Sequence, residues 1–362
     1  MRFALLLLLL LLVACGRHDS PSVLFLRDGP AGTPQLYVQP PGDAPARPLT
    51  GNDAAAPPVV DYAVSPDGRR ILYSVGTAAG GEGGSALRLL TIGGGDRALL
   101  DCPAAECSAP VWSPDGRTVI YELRPWLDGL PGSSRLRRLD PNDGRSLPLI
   151  EGEEAPAYGA RFSPDGRWLS YVSMADEGVV LYRLADGQQR LLGSRVGSPA
   201  AWSPNSAEVV YGDIAVQAHE TAPEAGGAPT PIQESANIYL YRTIVAEDSP
   251  RQRLSLDAAV ADSAPAFSPD GQWLAFGRAP AGTVAGRQLW LMRPDGADAR
   301  PLTDDSAVSH GPPSWSPDGR YLLFQRYEMG DPAAVASVWR LEVATGEETL
   351  VAAEGYLPGW LP

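Results

Sequence analysis

Apolar residues in this chain fall into short runs of strand length, not into helical periods. Ile71–Val75, Trp168–Val172, Trp273–Phe276 and Tyr321–Phe324 are aliphatic and aromatic runs bounded by Gly, Pro, Asp and Ser. Each is followed by a second run of the same kind, such as Leu87–Leu90, Val179–Arg183, Gln288–Met292 and Val338–Leu341. A shorter third segment closes the unit, as in Arg300–Thr303. The pattern predicts an all-β chain. One stretch departs from it: Leu5–Val13 is an unbroken apolar run, too short for a stable membrane span and suited to the core of a signal peptide.

The units repeat. Ser-Pro-Asp-Gly begins at Ser65, Ser113, Ser163, Ser268 and Ser316, and a degenerate copy reads Ser203-Pro204-Asn205-Ser206. Successive serines lie 48, 50, 40, 65 and 48 residues apart, which is the length of one four-stranded propeller blade. An aromatic residue precedes most copies: Trp112, Phe162, Trp202, Phe267 and Trp315. The tetrapeptide is turn chemistry. Proline presets φ for a type I turn, aspartate accepts local backbone N–H groups, and glycine takes the left-handed position that follows. These aspartates are therefore read as turn-makers, and Asn205 fills the role without the charge.

Aromatic-Ser-Pro-Asp-Gly followed by an apolar strand resembles the WD-like repeat of TolB-type β-propellers. The resemblance spans nearly all of residues 23–361 and implies a ring of four-stranded antiparallel blades. It implies little about function, because propellers host many. The chain departs from TolB itself: strands begin almost at once, with no α/β domain before them, and the lipidation signal described below is foreign to that protein. The resemblance implies six blades, but the residues point to seven. Val23–Arg27, Gln35–Gln39 and Arg47–Thr50 match the second, third and fourth strands of a blade without an inner one. Pro358-Gly359-Trp360 mimics Pro110-Val111-Trp112 and supplies it. The C-terminus would then join three N-terminal strands and leave no open edge.

In such a blade the first-to-second and third-to-fourth strand turns share one face. Here they are short. The second-to-third and blade-linking loops share the other face, where they are longer and irregular; the largest, residues 213–236, reads as a flexible insertion. The blade-linking loops are acidic. Asp53, Asp101, Glu153, Glu154, Asp262, Asp304 and Asp305 are the candidates to ring the channel mouth, as a solvated surface or as a site for a cation such as Ca2+ or for a basic partner segment.

Charge and chemistry narrow the rest. A net charge of −14 disfavours nucleic acid and anionic headgroups. Leu12-Val13-Ala14-Cys15 resembles a bacterial lipobox, which predicts a signal peptide over 1–14, a lipidated Cys15, a tether over 15–22 and a single propeller domain over 23–362. Gly16 is not the aspartate that commonly retains lipoproteins at an inner membrane. The expected place is thus the outer membrane facing the periplasm in a two-membrane host, and otherwise the outer face of the cytoplasmic membrane. Cys102 and Cys107 remain, in a loop-like segment; in an oxidising compartment they read as a disulfide, with a metal pair as the alternative. There is no Gly-x-Ser-x-Gly elbow, and His18, His219 and His310 are far apart in sequence. No catalytic residue is assigned. The leading expectation is a non-catalytic module that binds an envelope protein or peptide on its long-loop face. The alternative is a hydrolase or lyase using channel-mouth carboxylates with a divalent cation.

Overall fold

The computed structural model describes residues 21–362 apart from 43, 52–55, 77–83, 151–154, 220–232, 247–248 and 332. It is a seven-bladed β-propeller of antiparallel sheets. From the inner strand outward, blade 1 is Tyr356–Leu361, Ser22–Asp28, Pro34–Gln39 and Arg47–Pro48. Blades 2 to 7 follow in chain order, with inner strands Val59–Val64, Ala105–Trp112, Ala157–Phe162, Ala201–Trp202, Val260–Phe267 and, in two pieces, Val308–His310 with Ser314–Trp315.

Blade 1 closes the ring as its sequence pattern predicted. Ser22 pairs with Leu361, Val23 with Trp360 and Leu24 with Gly359. Neighbouring residues of Ser22–Asp28 serve different interfaces. Val23 and Phe25 pack with Leu323 and Val338 of blade 7, whereas Leu24 and Leu26 pack with Ile71 and Tyr73 of blade 2. The core therefore lies between blades, and the second strands are buried on both faces. That is why they read as continuous apolar runs and do not alternate.

The repeated motif makes two separate bonds sets. Within the turn, the Ser65 hydroxyl donates to Asp67 at 2.6 Å and accepts the Arg70 N–H, while Asp67 accepts the Arg69 N–H. The same network recurs at Ser113, Ser163, Ser268 and Ser316. The serine hydroxyl and the backbone N–H hold the Asp67, Asp115 and Asp270 carboxyls below the usual carboxylate range. At the degenerate copy, Asn205 replaces the aspartate, and Ser206 takes the left-handed φ of 60° that glycine takes elsewhere. Its hydroxyl accepts the Asp165 N–H of blade 4, a bond glycine could not make. Between blades, the aromatic acts as a clasp. The indole N–H of Trp112, Trp315 and Trp360 donates to Ala63, Ala266 and Ser314 of the preceding blade at 3.0–3.1 Å.

Two boundaries differ from the sequence reading. Cys102 ends the outer strand of blade 2 and Cys107 lies in the inner strand of blade 3, so the disulfide closes the short Pro103-Ala104 crossover and ties two blades at that point. Residues 213–219 and 233–236 are not loop. They extend a hairpin of Glu208–His219 with Gln233–Ile244, paired from Glu208↔Ile244 to His219↔Gln233. The alternation Ile214, Val216, Ala218 was the overlooked signal.

Candidate interaction face

The described inner strands carry Asp61, Glu106, Asp262 and Arg161; the three acids are bonded within the ring, and Arg161 is open to water. Four inner-strand residues lie in the left-handed region: Ala109, Gly159, Ala264 and Leu357. Each marks a bulge where the pairing register shifts. A bulge leaves an N–H without a strand partner, and in three cases a side chain of the preceding blade accepts it. Asp61 accepts from Ala109, Glu122 from Gly159 at 2.8 Å, and Gln325 from Leu357 at 2.9 Å. Tyr62 adds a further closure bond, its hydroxyl lying 2.7 Å from the Leu357 carbonyl.

These positions perturb the acids. Burial raises Asp61 above the ordinary carboxylate range, against the Ser74 hydroxyl and the Ala109 N–H, and the charge of Glu106 adds to it. Burial likewise raises Glu122, against the Gly159 N–H, with Asp61 contributing. Arg161 is reached by water yet enclosed by protein on most sides, and this enclosure lowers it against the pull of Glu122.

Among the described residues, the candidate acids do not converge. Asp53, Glu153 and Glu154 lie outside the described residues. Asp262 is not at a solvated channel mouth: it is fully buried and holds Arg278 through two bonds of 2.7 and 2.8 Å. Asp101 lies on the outer strand of blade 2, at the opposite edge of the sheet from the inner strand. Asp305 accepts the Ala307 N–H and pairs with Arg326, while Asp304 is exposed beside it. Among the described residues no three His, Cys, Asp or Glu side chains gather as a metal site. His310 is buried, with Nδ1 3.0 Å from the Arg287 carbonyl and its ring edge-on to Phe324.

The two faces of the ring differ in surface. The short-turn face exposes few large apolar side chains; Ile92, Leu184 and Ile244 are the marginal cases. The long-loop face carries them on loop after loop. Leu127 and Leu130 flank the Asp128-Gly129 turn of blade 3, whose two positive φ values make a tight hairpin. Met174 follows on blade 4, Val216 on the blade 5 hairpin, Val284 on blade 6, and Met329 and Val335 on blade 7. Val284 is 92% exposed and Leu130 70%. Between blades 4 and 5 a cleft of 420 Å³ runs along the blade junction from the long-loop end toward the short-turn end, lined by Arg190, Arg195, Arg251 and Asp213. Asp213 is buried there; it accepts the Arg195 N–H and pairs with Arg251 at 2.8 Å. Sequence reasoning located this face by loop length, but named its acids and missed its apolar tips, which are spread over five separate loops and hairpins.

Fold and surface together define a closed propeller of WD-like repeats with one plain and one elaborated face. No family model matches the sequence. No curated protein matches it either. Solved structures do match in fold. TolB from Acinetobacter baumannii is 14% identical, with a TM-score of 0.55 over 94% of this chain and 67% of that one. A protein assigned as TolB from Agrobacterium tumefaciens is 20% identical, with a TM-score of 0.51 over 74% and 86%. A prolyl endopeptidase superposes at 0.63 with 14% identity, covering 92% of this chain but only half of its own length. The chain thus shares the propeller fold of the TolB structures, and at these identities the likeness extends to fold alone.

Proposed function

We propose that this protein is a non-catalytic recognition module of the cell envelope, anchored by lipid on Cys15 and binding a protein partner on its long-loop face. The observation that carries the reading is the asymmetry of the two faces. Apolar side chains stand exposed on the second-to-third strand loops of blades 3 to 7, all on one side of the ring. We read this one-sided distribution, rather than any single exposed residue, as the mark of an interaction surface. The acids on the inner and second strands support the same reading, since Asp61, Glu122 and Asp262 each hold a bond that keeps neighbouring strands together. The lipobox-like Leu12–Cys15 and the following Gly16 favour an outer membrane facing the periplasm, or the outer face of the cytoplasmic membrane where there is only one.

The test is a triple variant, Leu130→Glu with Val284→Glu and Val335→Glu, against a control pair on the other face, Ile92→Glu with Leu184→Glu. Surface changes of this kind each alter stability by about 0.5 kcal/mol or less. The triple variant is expected to fold normally and to lose the cross-linked partner that wild type and the control retain in native envelopes. Equal cross-linking by all three proteins would overturn the proposal.

A further inference from the structure

The closure of blade 1 fixes where the chain enters the ring, and this has a consequence for orientation. Ser22 pairs with Leu361, the last residue of the inner strand. The first-to-second strand connection of blade 1 is thus the gap between the two chain ends. That places both ends on the short-turn face, and the carbonyl of Pro362 indeed lies against Gly68 of the Ser65 turn. The strand Ser22–Asp28 then runs away from that face toward the long loops.

We infer that the lipid anchor holds the short-turn face toward the bilayer and presents the long-loop face away from it. The inference rests on the lipidation of Cys15 proposed above. Its geometry is a comparison of lengths. Cys15 is joined to Ser22 by a tether whose full extension is about 24 Å, at roughly 3.4 Å per residue. For the long-loop face to meet the same bilayer, the tether would have to pass the rim and descend the side of the ring. Two strands, Pro34–Gln39 and Arg47–Pro48, lie outside the attachment strand. They add about 10 Å at 4.8 Å per strand, and a strand of this length adds about 20 Å more. The required path of about 30 Å exceeds the tether.

The orientation assigns the class of partner. Leu130, Val284 and Val335 cannot dip into the anchoring membrane, so their exposed side chains serve a protein and not a lipid surface. The face that does approach the bilayer carries the polar Ser-Pro-Asp-Gly turns, and its apolar side chains, such as Ile92 and Leu184, are only marginally exposed.

The experiment uses the full acylated chain, purified from membranes and reconstituted into phosphatidylcholine vesicles with a headgroup-borne energy acceptor. A donor dye is placed on Glu347→Cys, in a short turn of blade 7, or on Val284→Cys, in a long loop of blade 6; the native Cys102–Cys107 pair is bonded and does not compete. Energy transfer is expected to be several-fold greater from position 347. Equal transfer, or greater transfer from 284, in protein that floats with vesicles overturns the orientation alone. Protein that does not float overturns the anchoring and the orientation with it.

Discussion

The ring closure can be measured by comparing two tryptophans that occupy the same place in different blades. Trp360 is 8% exposed and donates to Ser314 at 3.1 Å; Trp112 is 7% exposed and donates to Ala63 at 3.1 Å. Trp112 sits at an interior junction, between blades 2 and 3, whereas Trp360 sits where the last inner strand meets the first three strands. Replacing a buried tryptophan by alanine costs about 3–5 kcal/mol. The entropy of unfolding is roughly 2.1 cal/mol/K per residue, or about 0.7 kcal/mol/K for a domain of this size. Each Trp→Ala variant should then lower Tm by about 4–7 °C. If the closure is an interface like the others, Trp360→Ala and Trp112→Ala give matching shifts, and each unfolds in one transition. The assay is calorimetry on the unacylated Cys15→Ser protein, with tryptophan fluorescence as a second probe. A negligible shift for Trp360→Ala beside a full shift for Trp112→Ala would show that Tyr356–Leu361 is a peripheral flap, and the closed-ring account would fail.

Two further outcomes follow from the buried titratable groups. Glu122→Gln keeps the acceptor for the Gly159 N–H, as Gln325 does for Leu357, and should match or exceed wild-type stability at pH 7; its advantage should vanish below the ordinary glutamate value of 4.5, where the unfolded carboxyl is protonated too. Glu122→Ala strips the acceptor and should cost about 1–2 kcal/mol in urea unfolding, so equal losses for both variants would contradict the assigned role. Burial lowers His310 below its ordinary value of 6.5, so the unfolded chain takes up the proton first as pH falls. Its contribution is whole above pH 6.5 and is lost as pH drops from there toward the folded value. His310→Gln should flatten the stability profile in that window, and an unchanged slope would assign the acid sensitivity elsewhere.

The legible parts of this fold were those governed by local chemistry. Ser-Pro-Asp-Gly names its turn wherever it occurs, because the serine, the aspartate and the left-handed glycine bond within five residues of one another. The seventh blade was legible because three strands lacked an inner partner and Pro358-Gly359-Trp360 lacked a blade. The acids were misjudged for the opposite reason. Asp61 answers an N–H 48 residues away, on a bulge at Ala109. Ala109, Ala264 and Leu357 each precede a proline, a setting that ordinarily favours extended backbone, so nothing in the sequence announces a left-handed residue there. Asp262 and Arg278 face each other across paired strands, a partnership set by register. The disulfide spacing suggested a loop, because two strands meeting at a blade crossover leave the same short gap.

The blade 5 hairpin shows how a repeated frame can leave one face available for recognition. A two-stranded ribbon is marginal in water by itself. This one is held at its root: Asp213 is buried, accepts the Arg195 N–H and pairs with Arg251, and Asn237 on the opposite strand donates to the Ala258 carbonyl of the neighbouring blade-linking loop. Beyond that root the ribbon continues to His219 and Gln233, while the flanking strands of the blade pair only near Val209–Val210 and Tyr241–Arg242. Its outer edges therefore present backbone donors and acceptors past the point where the blade ends. An exposed edge of this kind is the geometry that strand addition uses, and Val216 stands exposed beside it. The arrangement separates tasks: the inner strands and short turns close the ring, and the ribbon and the apolar tips stand together on the long-loop face.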